Sequence, residues 1–271
     1  MVYLKPLIDK LMPTTISKNK VLGLMTYGDD NSGYIKNIKK IAEQLDVFVC
    51  KKNVKYALDM IDSFCDLCNY VLPIKPFPQE VEDIIKMNID YNKDIDDFAG
   101  ANMFNNCTAE GVLEILKYLN IGIDKHILII GRGVGRDIFD LLERNDYTVT
   151  LAHSKTSRLE YLSRQADVVI SATGEKNLIN KYMVKMNATV IDVGLGDICK
   201  DVQEVAYVTP IKDGVGAVTT AILFKHINEG WWKLNNEKIN QAITLYFNNG
   251  NWRMYLKETA RRDNNFQEFI R

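Results

Sequence analysis

The 271-residue chain lacks what several protein classes require. No window supplies the roughly 18 consecutive apolar residues of a membrane helix, so no membrane span is expected. The opening MVYLKPLIDKLM has no basic segment followed by an apolar core, so no secretory leader is expected and the chain is assigned to the cytoplasm. The formal net charge is −1, which argues against a general polyanion binder, so no nucleic-acid partner is expected. Five cysteines, an odd number, suit reduced thiols rather than a disulfide framework. Cys65 and Cys68 form a C-x-x-C, but zinc needs two further ligands. The other cysteines are scattered and the three histidines lie far along the chain, so packed thiols and no metal are expected.

What is present is an alternation of apolar runs and helical patterns. VLGLMTY (Val21 to Tyr27), DVFVCK and YVLPI read as strands. GYIKNIKKIAEQLDV reads as a helix after the first of them. A second helix begins near Thr108, the expected cap of AEGVLEILKYL. From His126 the rhythm is regular: HILII, YTVTLA, ADVVISA, ATVIDVG and YVTP as strands, with RDIFDLLERN a helix between the first two. Such alternation means parallel strands joined by crossover helices. The expected architecture is α/β: a doubly wound Rossmann-like domain over 120–218 and a smaller α/β lobe over 1–119, with a cleft between them. Helix 219–271 is expected to return to the first lobe. The tail from Asn236 reads as one or two amphipathic helices, and Trp231, Trp232 and Trp252 as packing or interface residues.

ILIIGRGVGRDIF places Gly131, Gly133 and Gly135 between a strand and a helix, with Arg132 among them. Glycines there let the backbone approach a pyrophosphate, which sits on amide groups at the helix N-terminus. The spacing is G-x-G-x-G, a moderate signal strengthened by its place at the first βαβ unit. The next strand ends in HSKT, with no carboxylate to repel a 2′-phosphate. Ser154 and Lys155 can donate to that phosphate and Arg132 can reach it. NADP is therefore expected, with NAD as the alternative.

Several segments in order resemble the bifunctional methylenetetrahydrofolate dehydrogenase/cyclohydrolase family, the FolD type. They are GDDNSGYIKNIKKIAEQLDV, LPIKPFP, NKDIDDF, NCTAEGVLEIL, LIIGRGVGRDIFDLL, VTLAHSKT, ADVVISATG, VIDVG and VTPIKDGVGAVTTAIL, covering about residues 20 to 235. The resemblance implies a folate substrate between two lobes, and a homodimer. By it, Tyr34 stacks on the folate and Asp96 holds the pterin, whose N–H donors suit a carboxylate. Gly131, Arg132, Ser154 and Leu195 fall on cofactor contacts. Gly214, Val215 and Gly216 fall on a folate-side glycine turn.

The departures bear on chemistry. The family's catalytic lysine falls on Ile38 and its glutamine partner on Ile74, both then expected to line the substrate site. Asp97 and Asp137 replace a glycine and a proline, and the cofactor loop is two residues shorter. At about 100° per residue, Tyr34 shares a helical face with Ile38, Ile41 and Leu45, while Lys36, Lys39 and Lys40 face solvent. Hydride transfer needs mainly positioning, so it is expected to persist. Hydration of the methenyl product needs proton handling, so cyclohydrolase activity is expected to be weak or lost, unless Lys75 supplies an ammonium. Two alternatives stay open: a folate- or dinucleotide-binding homologue without turnover, and a dehydrogenase for another one-carbon carrier.

Overall fold

A computed structural model describes residues 1–28, 32–56 and 58–230. The expected tail helices, with Trp231, Trp232 and Trp252, lie outside the described residues. Met1–Asn228 form one compact unit.

Two parallel sheets organise it. In the first, β1 (Lys20–Thr26) lies between β2 (Val47–Asn53) and β3 (Tyr70–Pro73). In the second, β4 (His126–Ile130), β5 (Thr148–Ala152), β6 (Val168–Ser171), β7 (Thr189–Asp192) and β8 (Tyr207–Val208) run in the order β5-β4-β6-β7-β8. All of these ladders are parallel. β3, β4, β6 and β7 are buried along nearly their whole length, as strands covered by helices on both faces are, while the edge strands β2 and β5 are half-exposed. Leu22, Leu24 and Leu72 pack on one face of the first sheet, and Met25 and Val71 on the other. Ile127 and Ile129 face one core of the second sheet, and Leu128 and Ile130 the other.

α2 (Gly33–Gln44) starts at Ser32, whose side chain accepts the Ile35 N–H. It buries Ile35, Ile38 and Ala42 on the first sheet. Lys36, Lys39 and Lys40 are exposed, as the helical period requires. Cys65 and Cys68 are packed thiols in the core on the other face of that sheet.

α5 (Cys107–Tyr118) and α8 (residues 215–230) bind the two sheets together. α5 places Cys107 in the first core and Val112, Ile115 and Leu116 in the second. α8 places Val215, Val218 and Ala221 in the second core and Ile222, Phe224 and Ile227 in the first. The two helices meet at Gly111, where a Cβ would lie 3.4 Å from Val218 Cγ1. The cap of α5 is Asn106, not Thr108: the Asn106 side chain accepts the N–H groups of Thr108 and Ala109. Asn ranks above Thr at this position.

The chain's opening departs from its expected place in the first lobe. The Val2 N–H donates to the Val208 carbonyl at 2.8 Å. Leu4, Leu7 and Ile8, the last two on α1 (Lys5–Leu11), join the core of the second sheet. Their apolar surface finds its cover there.

Candidate functional site

A cleft of about 750 Å³ opens between the ends of the two sheets. Tyr34, Ile74, Lys75 and Asp96 line it from one side, and Gly133, Leu195, Val215 and Gly216 from the other. These eight expected site residues thus meet around one space. Phe98, Lys86 and Arg144, which the sequence reading did not single out, line it as well.

Asp96 sits in the segment between β3 and α5. Its Oδ1 accepts the Cys107 N–H at 2.6 Å, at the first turn of α5. Burial pushes its carboxyl up to about 6, against the Cys107 hydrogen bonds and the His226 charge, with Asp94 adding to the rise. Tyr34, on the first turn of α2, is packed against the same core, and burial with the nearby Asp96 pushes its phenol well above the ordinary value. A phenol ring held beside a carboxylate offers a pterin one stacking face and one acceptor edge.

Ile38 requires a correction. It is 0% exposed, in the core with Leu22 and Leu24, and does not line the cleft. One turn below Tyr34 on the apolar face, its branched side chain is drawn into the sheet packing. Ile74 does line the cleft, as an apolar wall. Lys75 reaches the rim with its side chain 65% exposed, 2.7 Å from Glu82 and 5.3 Å from the Phe98 ring centroid.

On the second sheet, Gly131 ends β4 at the point where strand order reverses between β5 and β6. Its φ is +119°, and a Cβ there would run into the Ala172 carbonyl beyond β6. Gly133 begins α6 (Gly133–Glu143), and a Cβ on it would meet nothing within 4 Å. Gly135 packs against Ile129, where a Cβ would lie at 3.4 Å. One glycine for the turn, one for open approach and one for helix–strand packing, before the free amides of a helix N-terminus, make a cradle that fits a dinucleotide pyrophosphate. Gly131, Arg132, Gly135, Ser154, Lys155 and Gly214 stand off the main cleft. Ser154 and Lys155 are exposed in a turn at the end of β5, closed by the Thr156 hydroxyl, which accepts the His153 N–H at 2.9 Å. That turn adjoins the glycine loop, because Gly131 N–H donates to Ala152 O. Leu195 is 59% exposed with φ +59°. At Gly214 a Cβ would collide with the Pro210 carbonyl, so the turn into α8 admits glycine alone without shifting.

The sequence reading also missed a buried network behind Asp96, made by His226, Glu110, Asn105 and Lys225. The partners lie more than a hundred positions apart, except Asn105, and only the fold brings them together.

Comparison with known proteins decides the family. Residues 106–234 match the family described as tetrahydrofolate dehydrogenase/cyclohydrolase, NAD(P)-binding domain. The bifunctional protein FolD of Thermosipho africanus is 32% identical over 269 residues, covering 87% of this chain and 99% of its own. The chain belongs to the FolD family. FolD of Malacoplasma penetrans is 38% identical over 198 residues, covering 64% of this chain and 68% of its own. Among solved structures, FolD of Trypanosoma brucei, complexed with NADP cofactor and inhibitor, superposes with a TM-score of 0.72 at 25% identity, covering 80% of this chain and 88% of that one. FolD of Campylobacter jejuni gives 0.70 at 27% identity, covering 85% and 92%. The two-lobed, doubly wound α/β architecture of this FolD-family chain is that of its solved relatives.

Proposed function

We propose that this FolD-family protein oxidises 5,10-methylenetetrahydrofolate to the 5,10-methenyl form with NADP, and that its cyclohydrolase activity is weak or lost. One observation carries the reading: Tyr34 and Asp96 share a cleft with the start of the glycine cradle at Gly133 and with Leu195 and Gly216. When bound, NADP supplies the hydride acceptor. Gly131, Gly133 and the α6 N-terminus hold its pyrophosphate, and Arg132, Ser154 and Lys155 its 2′-phosphate. Asp96 accepts the N–H donors of the pterin, Tyr34 stacks on it, and the turn Gly214–Val215–Gly216 closes the folate side. These contacts act by holding the one-carbon unit in near-attack geometry, which is most of what hydride transfer needs.

Hydrating the methenyl product requires a group that can move a proton. Ile38 lies in the core and Ile74 offers only hydrocarbon, which supports the loss. Lys75 is the candidate substitute, from its place at the rim. The test is a paired assay on one purified sample: NADPH formation from methylenetetrahydrofolate, and hydrolysis of methenyltetrahydrofolate. NADPH formation with little hydrolysis supports the reading; no NADPH formation overturns it. The reading extends to a homodimer, as the family resemblance implies, and to the cytoplasm, which suits five reduced thiols. Among the described residues no helix is long and apolar enough to cross a membrane. Sedimentation of the purified chain decides the assembly.

A further inference from the structure

His226, on α8, is 1% exposed, and Glu110, on α5, 8%. His226 Nδ1 lies 2.9 Å from the Ile95 carbonyl oxygen, and Nε2 lies 3.1 Å from Glu110 Oε2. A carbonyl oxygen only accepts, so Nδ1 bears a proton. Burial pushes the Glu110 carboxyl up. The hydrogen bond and charge of His226 outweigh it, aided by donation from Asn105 Nδ2 at 2.8 Å and Lys225 Nζ at 3.0 Å, and hold it below the ordinary carboxylate range. Glu110 Oε2 takes the Asn105 amide and Oε1 the Lys225 ammonium, so Nε2 faces an acceptor as well. Both ring nitrogens thus face acceptors, and the ring packs against Phe104 at 5.1 Å between centroids.

The carbonyl that this ring grips belongs to the peptide joining Ile95 to Asp96. On the other side, Cys107 N–H grips the Asp96 carboxylate at 2.6 Å, and Cys107 Sγ lies 3.4 Å from the same Ile95 oxygen. Around Asp96 stand Tyr34 from α2, Asp94 and Asp97 from its own segment, Cys107 and Glu110 from α5, and His226 and Lys225 from α8. Of the two charged neighbours that act on Asp96 directly, Asp94 opposes its ionisation and His226 favours it.

We infer that His226 is a positioning residue for substrate recognition: anchored by Glu110, its doubly protonated ring holds the Ile95–Asp96 peptide and sets the orientation and charge of the Asp96 carboxylate in the cleft. The inference rests on the reading of Asp96 as the pterin contact. It assigns a role to a helix that touches the substrate site with other residues, and it makes the back of the cleft part of its chemistry.

The test uses the full chain. His226→Gln keeps an amide donor for the Ile95 carbonyl and removes the charge; Glu110→Gln removes the anchor's charge. Nitrogen NMR of the wild-type imidazoles at pH 7 is expected to show both His226 nitrogens protonated. In His226→Gln, carbon NMR of the Asp96 carboxyl is expected to show its titration moved up by about one unit, the size of effect a nearby opposite charge has on a carboxyl. The ionised fraction of Asp96 then falls about twofold at pH 7 and about ninefold at pH 5, so the KM for methylenetetrahydrofolate rises by those factors with the KM for NADP unchanged. A singly protonated His226 in the wild type, or an unmoved Asp96 titration in folded His226→Gln, overturns the inference. Should His226→Gln not fold, the wild-type ring signals still decide. A wild type that turns over no folate but shows the NMR coupling retains the His226–Asp96 linkage and sinks the substrate assignment instead.

Discussion

The backbone N–H of Cys107 and the carboxylate of Asp96 meet at 2.6 Å, so the first turn of α5 holds the acid that faces the cleft. Burial nevertheless raises that acid to about 6. Pterin recognition by an ionised Asp96 then fails as pH falls through about 6. An acid limb near that pH is expected in kcat/KM for methylenetetrahydrofolate, and Asp96→Asn should lower kcat/KM at neutral pH and remove the limb.

The same shift makes a stability prediction. The folded state keeps the Asp96 proton above the unfolded value of 3.8, so stability falls as pH rises from about 4 to about 6. At neutral pH the ionised form costs about 3 kcal/mol, from roughly two units at 1.36 kcal/mol each. Asp96→Asn is therefore expected to raise the denaturation midpoint at pH 7.5 and to change it little at pH 4. An equal change at both pH values would refute this.

Restoring a lysine at position 38 is not expected to restore hydrolysis. The site is dry, so Ile38→Lys buries an unpaired ammonium and should cost more than about 3 kcal/mol in urea denaturation. Cyclohydrolase rate on that variant stays at background. Recovery of hydrolysis with little loss of stability would show that the residue reaches the cleft in solution.

Gly131→Ala places a Cβ against the Ala172 carbonyl at a backbone φ of +119°. Calorimetry is expected to show NADP affinity weakened more than about tenfold, or 1.4 kcal/mol. Folate affinity, read in the same instrument, should change by less than about twofold, a few tenths of a kcal/mol.

Lys155→Glu puts a carboxylate where a 2′-phosphate is expected. Charge-assisted hydrogen bonds contribute about 1.5–3 kcal/mol, so the NADP:NAD preference should fall by about 10- to 100-fold. An unchanged ratio of the two kcat/KM values would remove Lys155 from the cofactor site.

The strands and the glycine loop were legible because their signals are local. An apolar run such as HILII has no other cover than a sheet interior, and Gly131 ends it where the backbone turns. Tyr34 and Asp96 were legible through resemblance, since nothing in their immediate neighbours distinguishes a cleft residue from a rim residue. The depth of Ile38 was not, because helical phase tells which face is apolar and not how far the sheet lies from it. Docking of Val2 onto Val208, and of His226 onto Glu110, joins residues far apart in the chain, where periodicity carries no information.

α5 and α8 each contribute side chains to the hydrophobic cores of both sheets and touch at Gly111. Neither sheet can lose its cover without stripping the other. The two lobes of Met1–Asn228 should therefore melt in one cooperative step, with calorimetric and van't Hoff enthalpies in agreement. A ligand that binds either half then protects both against heat.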